Sequence, residues 1–136
     1  MKVKTNELSG AQLDWAVAKC EGVAVAYDRM NGWWETSDPR YAEPNDPEVF
    51  SPSTNWAQGG SIIEREKLGV WWATHYVDAD GVEYGNHWYC ETGCTDDNYD
   101  SQHLAEGATP LIAAMRCYVA SKLGDEVEVP KEGYDT

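Results

Sequence analysis

The sequence predicts an α+β domain: a small, mostly antiparallel sheet with two helices, near the N- and C-termini, packed on one face. Three observations predict it. Each end carries an apolar stripe at helical spacing, with a cap residue before it and a glycine after it. The stretch between is rich in Val, Trp, Tyr and Thr and is broken by turn residues, as hairpins are. At 136 residues the chain has the length of one domain, 1–136, and no internal repeat or low-complexity tract divides it.

The first helix follows Leu8-Ser9-Gly10-Ala11-Gln12-Leu13. Ser9 is its predicted N-cap and Gln12 stands at the N3 position of a capping box, with Leu8 and Leu13 placed as a hydrophobic staple. Leu13, Ala16, Val17 and Cys20 form the stripe, and Gly22 ends it. Val23-Ala24-Val25-Ala26-Tyr27 predicts a short strand. Residues 29–49 turn to Gly, Pro, Asn and acids around Trp33-Trp34, and Pro39, Pro44 and Pro47 predict a long surface loop or lid. Ser51 to Gly60 reads as a polar loop feeding a strand, Ser61-Ile62-Ile63-Glu64-Arg65. Val70 to Val77 predicts one arm of a hairpin, Asp78-Ala79-Asp80-Gly81 its turn, and Val82 to Tyr89 the return. Residues 91–106 read as a second long loop. Thr109 then caps the last helix with Pro110 at N1, where a missing N–H costs nothing. Ile112, Met115, Val119 and Leu123 carry its stripe, Leu111 and Tyr118 widen it, and Gly124 closes it after Lys122. Glu126-Val127-Glu128-Val129 alternates as an edge strand that Pro130 stops, and 131–136 form a frayed tail.

The formal net charge is −14, from 24 acidic and 10 basic residues, and no Lys or Arg occurs between Lys67 and Arg116. Such a surface repels phosphate backbones and acidic membranes, which excludes direct nucleic-acid and membrane binding. No apolar run approaches the roughly 20 residues of a membrane span, and Met1-Lys2-Val3-Lys4-Thr5 does not open a signal peptide. The expected location is the cytoplasm, with Cys20, Cys90, Cys94 and Cys117 reduced. Seven Trp and eight Tyr stand against one Phe. These are more amphipathic aromatics than a small core hides, so some face a pocket or a partner. A homo-oligomer is therefore expected, with the edge strand near Val127–Val129 as a place for pairing.

Three stretches carry a family resemblance: Met1 to Lys19 (MKVKTNELSGAQLDWAVAK), Phe50 to Leu68 (FSPSTNWAQGGSIIEREKL) and Gly107 to Pro130 (GATPLIAAMRCYVASKLGDEVEVP). Together they resemble the NinX-like proteins of lambdoid phages and enterobacterial prophages. The resemblance touches both ends and the middle, and implies expression in the cytoplasm of an infected or lysogenic bacterial host. It brings no biochemical activity with it, and segments 29–49 and 78–106 take no part in it.

The candidate ligand site is the 51–65 segment. Ser53, Thr54, Asn55 and Gln58 offer donors and acceptors, and Gly59-Gly60 offers backbone amides that can hold an anion without a basic patch. Arg65 supplies a charge suited to phosphate, while Trp56, Trp72 and Tyr27 offer faces on which a base or sugar can stack. The structural alternative is a turn whose Pro and Gly merely punctuate the chain. A second candidate is a zinc site from His87, Cys90, Cys94 and His103, set against incidental thiols in an acidic loop. A third is a thiol–imidazole pair from Cys90 or Cys94 with His75 or His87, in a negative field that suppresses thiolate. The function expected is that of a non-catalytic phage accessory protein without a cofactor. It binds and sequesters a small polar ligand, a nucleotide-type host immune signal such as a cyclic nucleotide or an ADP-ribose derivative. The alternative is an acidic interaction protein that mimics DNA and blocks a host factor; a zinc-binding or hydrolytic protein comes third.

Overall fold

A computed structural model describes residues 1–92 and 103–130. It is α+β, with every strand pairing antiparallel. The chain opens with β1 (Lys2–Lys4), a short 3₁₀ turn (Thr5–Glu7) and α1 (Gly10–Glu21). Next come β2 (Ala26–Asp28), β3 (Trp33–Thr36) and β4 (Glu48–Phe50), which form one small sheet in the order β2-β3-β4. After α2 (Trp56–Glu66) the chain runs through β5 (Gly69–Ala73), β6 (Tyr76–Val77), β7 (Glu83–Tyr84), β8 (His87–Thr92) and β9 (His103–Gly107). Strands β5, β8 and β9 form a second sheet with β8 in the middle, while β6 pairs with β7. The last elements are α3 (Pro110–Leu123) and β10 (Glu126–Glu128), and β10 pairs with β1.

The two terminal helices start and end where the sequence pattern places them. Ser9 has the extended backbone of an N-cap, although its side chain makes no capping hydrogen bond; Gly22 ends α1 in the left-handed conformation. Leu8 and Leu13 are fully buried on either side of that start. In α3, the Thr109 hydroxyl accepts the Ile112 N–H at 3.1 Å, and Pro110 fills the first turn. Met115 and Val119 are fully buried as the stripe requires, whereas Leu123 is 41% exposed at the helix end. Helix α3 packs against β5, β8 and β9 and also against α1 and α2. Its buried residues accordingly lie on more than one face.

The first predicted strand, 23–27, is shifted to Ala26–Asp28, and three longer segments depart further from the sequence reading. Residues 51–65 are not a loop feeding a strand but a turn followed by α2, so the described residues hold three α-helices. The Asn55 side chain accepts the Ala57 and Gln58 N–H groups at 2.9 and 3.2 Å and so starts the helix. Gly59, a poor helix former, sits where a Cβ would collide with the Pro52 carbonyl oxygen and with Leu111 Cδ2, 2.6 Å away. Close packing, not propensity, chose glycine there. Segment 29–49, read as a loop, holds β3 and the start of β4: Trp34 is buried, and its indole N–H donates to the Ala11 carbonyl at 2.9 Å. Segment 91–106 contains the end of β8 and most of β9; its residues 93–102, like the 131–136 tail, lie outside the described residues.

Candidate functional site

The residues singled out around α2 do not converge. Gln58 is buried and spent on the chain itself: its Oε1 accepts the Ser51 N–H at 2.7 Å, and its Nε2 donates to the Val49 carbonyl at 2.8 Å. Asn55 is spent on capping, and Gly59 is closed off by Pro52 and Leu111. The Ser53 N–H donates to Asp14 Oδ1 at 2.9 Å in the interior. Thr54 is exposed, and its hydroxyl lies 3.4 Å from the Ser51 carbonyl. Trp56 is 58% exposed in the first turn of α2, and Arg65 stands nine residues on, about 13 Å along the axis. Ser53, Thr54 and Trp56 line a hollow of 190 Å³ with the first turn of α3, while Asn55 and Gln58 line a different one with Arg40 and Tyr41.

Arg65 has its own partners. Its guanidinium forks onto the Glu21 carboxylate at 2.9 and 2.7 Å, and donates also to Tyr118 Oη at 3.2 Å and to Glu66. Tyr118 in turn donates to Glu21 at 2.6 Å, and Tyr41 at 3.2 Å. Burial pushes the Glu21 carboxyl up, but the hydrogen bonds from Arg65 and Tyr118 outweigh it and hold the group below its usual range. The guanidinium thus ties the end of α2 to α1 and α3. Tyr27 packs edge-on against Trp34 with ring centroids 5.1 Å apart, and Trp72 meets Trp88 in the same way at 5.6 Å.

The histidines and thiols are also separated. His87 and Cys90 are three residues apart on β8, so strand alternation sends them to opposite faces. His87 is exposed, whereas Cys90 is fully buried. Contact with the Cys117 thiol, and then burial, hold the Cys90 thiol well above its ordinary range. Such a thiol is protonated and unreactive. His103 begins β9, and Cys94 lies outside the described residues. Among the described residues, no three His, Cys, Asp or Glu side chains gather as a metal site would require.

A site that the sequence reading did not single out lies on the outer face of the β5-β8-β9 sheet. The register sets Trp71 opposite Tyr89, and Tyr89 opposite Glu106, on the face turned away from buried Cys90 and Ala105. Trp71 and Tyr89 stack at 5.7 Å with planes 20° apart; beyond them, Tyr76 and Tyr84 stack across β6 and β7 at 5.1 Å and 19°. Both members of the second pair are exposed. The pairs border a hollow of 320 Å³ floored by Ala73 and Gly85 and edged by Leu104. A second hollow of 510 Å³ adjoins it, sharing Tyr84, Gly85 and Tyr89 and adding His75, Glu83, Asn86, His87 and Glu106. Gly85 makes this shape possible. It is buried, has φ +90°, and a Cβ there would strike the Thr74 carbonyl. The hairpin breaks at this point, with the Asn86 N–H donating to the Ala73 carbonyl at 2.7 Å and Asn86 itself at φ 57°. Opposed aromatics across the predicted hairpin were the signal available in the sequence.

The family model described as Bacteriophage P22, NinX matches residues 4–122. The chain belongs to the NinX family. The NinX match spans α1, α2 and β2 to β9, and so includes the whole aromatic face, and it ends in the last turn of α3. A search among curated proteins gave no match. Among the described residues of this NinX-family chain, no helix is long and apolar enough to cross a membrane.

Proposed function

We propose that this NinX-family protein is a non-catalytic binding protein that sequesters a small polar ligand of nucleotide type on the outer face of its β5-β8-β9 sheet. The observation that carries the reading is the pair of joined hollows, one walled by stacked aromatics and one by polar side chains. A planar base suits the first, because each base stacked on an aromatic ring is worth about 1–3 kcal/mol. The sugar and its substituents suit the second, which offers His75, Asn86, His87 and two carboxylates. The hollows have the size of small-molecule sites, which begin at about 300 Å³.

Sequestration requires affinity and excess, not chemistry. In the cytoplasm of an infected or lysogenic host, a nucleotide-type immune signal is the ligand whose removal serves a phage, and the activity is anti-defence. Assembly as a homo-oligomer belongs to the same reading, since Val77, Val82 and Leu104 extend the exposed apolar surface around the site. Calorimetry against a panel of cyclic nucleotides and ADP-ribose derivatives tests it. At least one member binds the native protein, and Trp71→Ala or Tyr89→Ala weakens it at least tenfold. Trp56→Ala leaves binding unchanged. If no member of the panel binds, the reading gives way to that of an acidic protein which blocks a host factor.

A further inference from the structure

The two hollows differ from an ordinary phosphate site in which charges line them. Glu83 and Glu106 are present, and among the described residues that line either hollow none is Lys or Arg. Arg65, a candidate phosphate grip, is instead held by Glu21. An ionised carboxylate only accepts hydrogen bonds, so a ligand that satisfies Glu83 and Glu106 must bring donors. In a nucleotide, those donors are sugar hydroxyls and an exocyclic amino group on the base. A polyphosphate brings only acceptors and several negative charges. It would have to approach a protein of net charge −14, at ranges where physiological salt screens only beyond about 8 Å. The side-chain donors that the described lining residues offer one phosphate are Asn86, the hydroxyls of Tyr84 and Tyr89, and the histidines, of which His75 lies 3.8 Å from Glu83.

Resting on the nucleotide reading above, we propose that the site selects a nucleotide with an amino-bearing base and at most one negative charge, as in a cyclic phosphodiester, and discriminates against terminal and multiple phosphates. Recognition falls on base and sugar, with Trp71, Tyr89, Tyr76 and Tyr84 stacking the base and Glu83 and Glu106 accepting from its amino group and the ribose. The phosphodiester points to Asn86 and the histidines.

The test is calorimetry of the full chain with 3′,5′-cyclic AMP, its inosine counterpart, AMP and ATP, at low and at physiological salt. Cyclic AMP is expected to bind at least tenfold tighter than ATP, with AMP between them, and added salt is expected to narrow the gap by screening the repulsion. The inosine counterpart is expected to bind several-fold more weakly than cyclic AMP, for want of the amino group. In Glu83→Gln and Glu106→Gln, the preference for cyclic AMP over ATP is expected to shrink by several-fold, and unchanged melting temperatures show that the fold persists. ATP binding as tightly as cyclic AMP, or a preference untouched by both substitutions, overturns the charge selection while leaving a nucleotide site in place. Failure of all four probes to bind, together with failure of the wider panel, overturns the nucleotide reading and this inference with it.

Discussion

Asp14 accepts the Ser53 N–H from a position that is nearly closed to water, and burial raises its pKa to about 6 against the opposing hydrogen bond from that N–H. The folded protein therefore holds this proton more tightly than the unfolded chain, whose carboxyl titrates near 3.8. The stability that follows is fully present below pH 3.8 and is lost as pH rises through about 6. Asp14→Asn keeps an acceptor for Ser53 and removes the charge. It is expected to be more stable than the parent by about 2–3 kcal/mol at pH 7 and equal to it near pH 3.5, as denaturant midpoints across that window would show. Arg65 works in the opposite sense. Its removal strands the Glu21 carboxylate, whose side chain is only 5% exposed, so Arg65→Ala is expected to cost about 1–3 kcal/mol in urea unfolding at neutral pH. A local reading of the sequence makes Arg65 an anion grip because its partner stands 44 residues away. Nothing between Glu21 and Arg65 in the chain announces that meeting.

Elements were legible wherever local signals agreed. Helices α1 and α3 carry caps, stripes and terminal glycines within a few residues of one another, and the β5-to-β8 hairpin carries strong β-formers around a turn of aspartates and glycine. In that turn the Asp78 carboxylate accepts the Asp80 and Val82 N–H groups at 2.9 and 3.0 Å, a cap that the sequence advertises. Helix α2 was not legible, because Gly59-Gly60 and a serine suppress its propensity and because the force that keeps Gly59 is a tertiary contact. Gly59→Ala separates the two effects. Propensity alone favours the alanine by about 1 kcal/mol, but the collision with Pro52 and Leu111 should reverse the sign to a net loss of about 1–3 kcal/mol, read as a lower melting temperature. Strand β1 was invisible for another reason: three residues paired with Glu126–Glu128 at the far end of the chain leave no local pattern to find.

At the scale of the molecule, the surplus of Trp and Tyr inferred from composition is divided between the core and several surface positions, Trp33, Trp56 and Trp72 among them. Trp34 and Tyr118 enter the core, while Trp71, Tyr76 and Tyr84 stand exposed on the far side of the β5-β8-β9 sheet. The exposure was legible as a surplus, but its location depended on strand register, which decides the face that each ring takes. A surface of this kind on a small acidic protein favours self-association, and light scattering at micromolar concentration is expected to give twice the 15.2 kDa chain mass. The placement of α3, in contact with β5, β8, β9, α1 and α2, bears finally on the order in which the molecule comes apart. A helix held by so many neighbours cannot detach by itself, so its amide hydrogens should exchange with solvent only when the whole chain opens. The β6–β7 ribbon has two paired residues on each side and can fray without disturbing the rest. Deuterium should therefore enter beside the aromatic hollows long before it reaches Met115, so that the proposed ligand site breathes while the core stays shut.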